Sequence, residues 1–162
     1  LQKGGGHKMA GGFTIDLDQI SIFRNLLLKT FEKFSLDISQ EKNVQIDSII
    51  APSAVNEDFY NDINSLAPFG SGNHEPVFAI ENLRVIRSDL VGSDHIKSIL
   101  SGKDGSIIKS IAFNAKNTPL EGFLNKNNKQ IFSVVGKLNL NEWNGKKDIQ
   151  FVISDIGKNN II

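Results

Sequence analysis

Three glycines run into a histidine at Gly4-Gly5-Gly6-His7, and two more glycines follow at Gly11-Gly12. Glycine takes positive φ freely and carries no side chain, so successive backbone N–H groups can turn toward one anion and a sugar-phosphate can approach the main chain. His7 adds a side-chain donor, Lys8 a charge, and Ala10 keeps the far side small. The chemistry suited to this composition is a phosphate cradle. A tight glycine turn between two strands, with a solvated histidine, is the competing reading, and a glycine run by itself leaves both open. The spacing of the whole unit, GGGHxxAGG, followed at once by the strand-like Phe13-Thr14-Ile15-Asp16, favours the cradle. So abrupt a start is expected of a site whose other half belongs to a larger protein.

Two better-known glycine motifs are excluded by inspection. A P-loop needs Gly-Lys-Ser/Thr, and that triplet is absent. Phe69-Gly70-Ser71-Gly72 begins like a dinucleotide fingerprint, but Glu75 stands where the third glycine belongs and Pro76 follows it, so no helix opens there. The chain has no cysteine, which removes thiol catalysis, disulfides and thiolate-bound zinc. His7, His74 and His95 are far apart and lack metal-ligand spacing, so no metal site is expected from these residues alone. No apolar run approaches the roughly 18–20 residues that cross a bilayer, and no signal-peptide pattern opens the chain; the expectation is a cytoplasmic setting without membrane contact.

The 162 residues carry no net charge, yet the charge is uneven. Residues 1–76 hold six Lys/Arg against ten Asp/Glu, and residues 77–162 hold twelve against eight. A solvated charged face explains such an excess as readily as nucleic-acid binding does.

The elements that must position these groups are legible in the periodicity. Ile20, Phe23, Leu27, Phe31 and Phe34 recur at helical spacing, predicting an amphipathic helix from about Asp18 to Phe34 with Asp16 or Asp18 as cap. Leu26 and Leu28 widen its apolar stripe beyond what its own short unit can cover. Polar residues 35–43 read as a linker. A strand over 44–50 and a short helix over 54–66 follow, and proline and glycines at 67–73 end that helix. The rest reads as strands over 77–87, 95–101, 106–114, 131–140 and 148–155. In the last pair, Phe132, Val134, Leu138 and Leu140 face one way, matched by Ile149, Phe151 and Ile153, and Asn144-Gly145 suits a type I′ turn.

Five or six strands with one short helix predict a mainly β, α+β chain whose larger part is an OB-fold-like barrel, an SH3-like barrel or split sandwich being the alternatives. In an OB barrel a positive groove follows the phosphates of a single strand while exposed aromatics stack on bases. Arg84, Arg87, Lys97, Lys109, Lys137, Lys146 and Lys147 are the groove candidates, and Trp143 and Phe113 the stacking candidates. Phe113 continues the apolar alternation of Ile107 and Ile111, which points it toward the core, while Trp143 can equally cover the barrel end.

The GGGHxxAGG unit at Gly4–Gly12 resembles the signature of the DHH-associated domain of DHH phosphoesterases. Leu66-Ala-Pro-Phe-Gly-Ser-Gly-Asn-His-Glu-Pro-Val-Phe78 resembles the LxPFGxGNPEPxF segment of the RecJ family, with His74 in place of the usual proline. His95-Ile-Lys97, Ile111-Ala-Phe-Asn114 and the stretch from Val135 through Trp143-Asn-Gly145 to Ile153 extend the similarity over nearly the whole chain. The resemblance implies a C-terminal piece of a single-stranded-DNA-specific 5′ to 3′ exonuclease of DNA repair and recombination. Its chemistry would be phosphodiester hydrolysis by manganese or magnesium ions held in a DHH domain. Residues 1–16 would then end the DHH-associated α/β domain, 17–43 form a linking helix and linker, 44–156 the single-strand-binding barrel, and 157–162 a tail. Only Gly4, Gly5, Gly6, His7, Ala10, Gly11 and Gly12 carry over as phosphate-facing. No Asp-His-His triplet is present, so the resemblance implies a piece with no catalytic or metal-ligating residue, no bound cofactor and no nuclease activity of its own. Implied partners are single-stranded DNA and a single-strand-binding protein or helicase. The alternatives are a piece of another DHH phosphoesterase, or a protein-interaction barrel that ignores nucleic acid.

Overall fold

The structure, a computed structural model, describes residues 2–7, 10–34, 44–143 and 145–158. Two compact units divide it, residues 1–44 and 45–162.

In the first unit, β1 (Lys3–His7) and β2 (Ala10–Thr14) form an antiparallel hairpin with Gly5 opposite Gly12 and Gly6 opposite Gly11. A 3-10 turn over Leu17–Gln19 leads into α1 (Ile20–Phe34). Asp16 occupies the capping position, but its carboxylate instead accepts a 2.7 Å hydrogen bond from Gln2 Nε2. The Phe13 and Phe23 rings meet at 4.6 Å, which fastens one end of the helix to the hairpin. Ile20, Leu26, Leu27, Leu28 and Phe31 remain exposed, as the wide stripe required. The expected linker over 35–43 lies outside the described residues.

The second unit opens with β3 (Ser48–Ile49), a short strand parallel to the start of β4 (Phe78–Val91). The helix expected from residue 54 starts later, at α2 (Glu57–Asn64), capped by Asn56, whose Oδ1 accepts the Phe59 N–H at 2.9 Å. Then come β5 (His95–Ser101), β6 (Ile107–Ala112), a helix α3 (Pro119–Leu124), β7 (Phe132–Trp143) and β8 (Lys146–Lys158). β4 pairs with β5, β5 with β6, β6 with β8 in parallel, β8 with β7, and β7 returns to β4. That closes a five-stranded barrel, and β4 serves both seams by bending where its register shifts near Ile80/Leu83 and Val85/Arg87. Strand β8 runs through Lys158, so Gly157 and Lys158 pair with Ser133 and Phe132 instead of starting a tail. α3 was not expected from the sequence, its one turn and a half being too short to show a period; its Leu124 is fully buried.

The barrel interior is filled by Ile80, Leu83, Leu100, Ile108, Phe132, Val134 and Phe151, all fully or almost fully buried. Burying an aliphatic or aromatic side chain of this size contributes about 1.5–3 kcal/mol each before the entropy of ordering it is subtracted. Phe59 of α2 packs on Phe78 at 5.5 Å and Phe123 of α3 on Phe132 at 6.1 Å, so the helices cover barrel surface that would otherwise be wet. The inward face expected for β7 and β8 is the one observed, with Phe132, Val134, Leu138, Phe151 and Ile153 buried and Leu140 and Ile149 partly so, although Ser133, Val135 and Gln150 on the other parity are buried as well. Gly145 in their turn has φ of +73°.

Strand β6 reverses the expected parity. Ile108, Ser110 and Ala112 face inward, which turns Ile107, Lys109, Ile111 and Phe113 outward. Ser98 and Ser110 meet across the ladder inside the barrel, Oγ to Oγ at 2.7 Å, and Ser110 also bonds the Ser98 carbonyl at 3.1 Å. This mutual pairing removes the cost of burying two hydroxyls and leaves the lysines to water. A one-residue change of parity moves every side chain to the other face. Phe113 is accordingly 49% exposed rather than core.

Candidate nucleic-acid interface

The outward faces of β5, β6, β8 and β7 form one surface. On β7 and β8 the residues opposite the core parity are Lys137, Asn139 and Asn141, and Lys146, Asp148 and Gln150. Register sets them side by side: Asn139 faces Gln150, Asn141 faces Asp148, and Trp143 faces Lys146. On the neighbouring pair Lys97 lies beside Ile111. A groove of about 490 Å³ runs over this surface, with Lys97 and Lys146 on its walls, Ile111 and Phe113 on its apolar floor, and Asn141, Asp148 and Gln150 as its polar side. A second hollow of about 340 Å³ shares Phe113 and continues over Lys137, Asn139, Val152 and Ser154 to Glu75.

Local packing fixes the ring at the junction. Phe113 meets His95 edge-on at 5.2 Å, and His95 Nδ1 accepts the Asn114 N–H at 3.1 Å, so the imidazole is held from both sides. Gln150 donates to Asn139 Oδ1 at 3.3 Å, and its buried amide keeps that part of the wall in place.

The lysines differ in what already occupies them. Lys109 meets Asp148 at 2.6 Å, Lys137 meets Glu75 at 2.9 Å, and Lys147 meets Glu142 at 2.7 Å. The Glu142 carboxylate holds the Lys147 ammonium above its ordinary value. Arg87 is committed to Asp89 at 2.6 Å on β4. Among the described residues Lys97 and Lys146 make no ion pair, and both lie on the larger groove.

Of the eight residues expected at this interface beside Phe113, the structure therefore brings Lys97, Lys146 and Lys137 onto one surface. Lys109 and Lys147 line an adjoining hollow of about 300 Å³ beside α2. Arg84 and Arg87 sit on β4 and line none of the three. Trp143 ends β7 opposite Lys146, and its side chain lies outside the described residues. Sequence reasoning missed Asn139, Asn141 and Gln150, although the signal was present: each keeps the non-core parity of a hairpin whose core parity was already read.

The glycine element has a geometry other than the one expected. Among the described residues positive-φ glycines are Gly92, Gly105 and Gly145, whereas Gly4, Gly5, Gly6, Gly11 and Gly12 lie in an exposed two-stranded ladder with Ala10 opposite His7. In a ladder successive N–H groups point to opposite edges, so they do not converge on one anion. Gly6 has a steric reason to be glycine: an added Cβ would stand 2.6 Å from the Ala10 oxygen and 2.7 Å from Gly11 Cα. The turn itself, Lys8 and Met9, lies outside the described residues.

A closed barrel of this strand order, with a helix between its third and fourth strands and its groove over the second and third, is an OB-fold. The chain belongs to the RecJ family: the model of the RecJ OB domain matches residues 46–155, more than half of it. It is similar to the single-stranded-DNA-specific exonuclease RecJ of Bacillus subtilis (strain 168), 26% identical over 153 residues that cover 93% of this chain and 19% of the relative. The protein of the same name from Escherichia coli (strain K12) is 24% identical over 157 residues, covering 96% of this chain and 26% of the relative. Among solved structures, RecJ in complex with Mn2+ from Thermus thermophilus superposes with a TM-score of 0.66 at 21% identity, covering 100% of this chain and 22% of that one. The chain thus spans about a fifth to a quarter of the length of these relatives. Thermus RecJ has been solved with Mn2+ and with Mg2+. Among the described residues here, no three His, Asp or Glu side chains group to hold such an ion, so these residues do not fit a divalent metal. No described helix is long and apolar enough to cross a membrane.

Proposed function

We propose that this chain is the C-terminal part of a single-stranded-DNA-specific 5′ to 3′ exonuclease of DNA repair and recombination, and that its barrel holds the single strand. The observation that carries this reading is the outer groove, in which the unpaired Lys97 and Lys146 flank the exposed Phe113. Phosphates meet the ammonium groups, a base stacks on the ring, and the amide of Asn141 offers sequence-tolerant hydrogen bonds. The Gly4–Gly12 hairpin, with His7 at its end, meets a substrate phosphate in the assembled parent enzyme, where the chemistry and its manganese or magnesium ions come from the remainder. The chain alone is inactive. A cytoplasmic setting and docking of a single-strand-binding protein or a helicase belong to the same reading.

Titration of the chain with a fluorescent oligothymidylate tests it. Two phosphate contacts to unpaired lysines give a slope of log K against log salt of about −1.4, or roughly a sevenfold loss between 50 and 200 mM. Lys97→Ala with Lys146→Ala should flatten that slope nearly to zero. Absence of binding at low salt refutes the DNA reading and leaves a protein-interaction barrel. Release of nucleotides by the chain with manganese overturns its inactivity.

A further inference from the structure

The loop after α2 is not an inert connector, because it delivers a carboxylate into the binding surface. Asn73 ties the loop into a knot: its Nδ2 donates to the Leu66 carbonyl at 2.8 Å and the Pro68 carbonyl at 3.1 Å, and its backbone exchanges hydrogen bonds with Gly70. Just beyond, Val77 donates its N–H to Asp47 Oδ2 at 2.7 Å and accepts the Asp47 N–H at 2.8 Å. Glu75 hangs between these two anchors and reaches Lys137, 62 residues away, at 2.9 Å. Both side chains are about two-fifths exposed and both line the hollow that continues the groove past Phe113.

We propose that the surface is two phosphate subsites in series, divided at Phe113, and that Glu75 masks the second. This rests on the single-strand reading above. The first subsite, with Lys97 and Lys146, is open to a phosphodiester at once. The second offers Lys137, whose ammonium is already satisfied by a carboxylate. A strand long enough to cross Phe113 must exchange Lys137–Glu75 for Lys137–phosphate, leaving the Glu75 charge beside its own backbone. A short strand never meets Glu75. The masked pair therefore withholds from long strands the affinity that a third lysine would give, and Glu75 sets how binding grows with length.

The test compares oligothymidylates of about 4 and about 12 nucleotides, within the range of OB-fold site sizes. Glu75→Gln should leave the short probe unchanged. It should tighten the long one about two- to fivefold, the range set by an exposed ion pair. The long probe's salt slope should steepen from about −1.4 toward −2.1 as one more counterion is released. In a Lys137→Gln background the substitution should leave the salt slope unchanged, because no third lysine is freed, so a double-mutant cycle on the slope separates the exchange from general charge removal and from a folding defect. Equal tightening of both probes, or a steepened salt slope that persists without Lys137, overturns the masking. So does unchanged long-probe binding in a variant that still binds the short probe. If wild type binds neither probe, the failure lies with the single-strand reading itself.

Discussion

Phe113 is the side chain on which the binding surface and the fold can be separated. Its ring is 49% exposed and its fixed contact is edge-on to His95 at 5.2 Å, so the open part of the face is available to a base. Truncation to alanine removes a stack worth about 1–3 kcal/mol, which predicts a Kd raised by about 5- to 150-fold. Phe113→Leu is the sharper variant. It keeps most of the buried apolar contact, so stability should fall by less than about 1.5 kcal/mol. It removes the π-face, so binding should fall nearly as far as in the alanine variant, while Phe113→Tyr should restore it. Because no phosphate contact changes, the salt slope should be the same in all four proteins. Fluorescence anisotropy at several salt concentrations, beside urea unfolding, reads both quantities. A leucine variant that binds like wild type with an unchanged slope would refute the stacking argument.

The remaining predictions concern the barrel and its loops. Gly136 sits in the seam between β4 and β8, where an added Cβ would collide with the Val152 carbonyl oxygen, so Gly136→Ala should destabilise by about 2–3 kcal/mol or more in urea unfolding. Ser110→Ala strands the buried Ser98 hydroxyl, whereas Ser98→Ala leaves Ser110 its bond to the Ser98 carbonyl; the first should cost about 1 kcal/mol more than the second. Asp104 accepts hydrogen bonds from the Ser106 hydroxyl and N–H, which hold its carboxyl below the ordinary 3.8. A depressed carboxylate stabilises the fold above its ordinary pKa and loses that contribution as pH falls through the folded value. NMR titration should therefore show Asp104 protonating late, and Ser106→Ala should bring it back up. His7→Ala should leave oligonucleotide binding by this chain unchanged and lower nuclease activity in the full-length parent.

Periodicity made the barrel legible where one parity is plainly apolar and the other plainly polar, as in β7 and β8. β6 defeated it because Ile-Ile-Lys-Ser-Ile-Ala carries isoleucine on both parities, as does His-Ile-Lys-Ser-Ile-Leu-Ser of its neighbour β5. The deciding residues were serines, and no single-strand pattern shows that two inward hydroxyls will satisfy each other across a ladder. The same limit applies to the glycine element. Five glycines permit a nest or a ladder, and cross-strand pairing, which selects the ladder here, is not a property of the local sequence.

A modest basic excess in the C-terminal half says little, because the groups that make it up are not equally available. Lys109, Lys137, Lys147 and Arg87 each face a carboxylate within 3 Å, and a phosphate can recruit them only by displacing it. Asp148 lines the groove yet adds little repulsion there, since Lys109 already neutralises it. In the groove a polyanion therefore meets two cations with no ion pair among the described residues, Lys97 and Lys146, 49 residues apart in sequence and brought together by strands β5 and β8 on either side of β6. With as many acids as bases, these 162 residues present no net positive charge to draw in DNA from a distance. Its affinity must come from short-range contacts, so the aromatic floor and the amides carry a larger share than they would in a strongly basic domain. Removing the two free lysines should consequently abolish the salt dependence before it abolishes binding, whereas removing the ring should do the reverse.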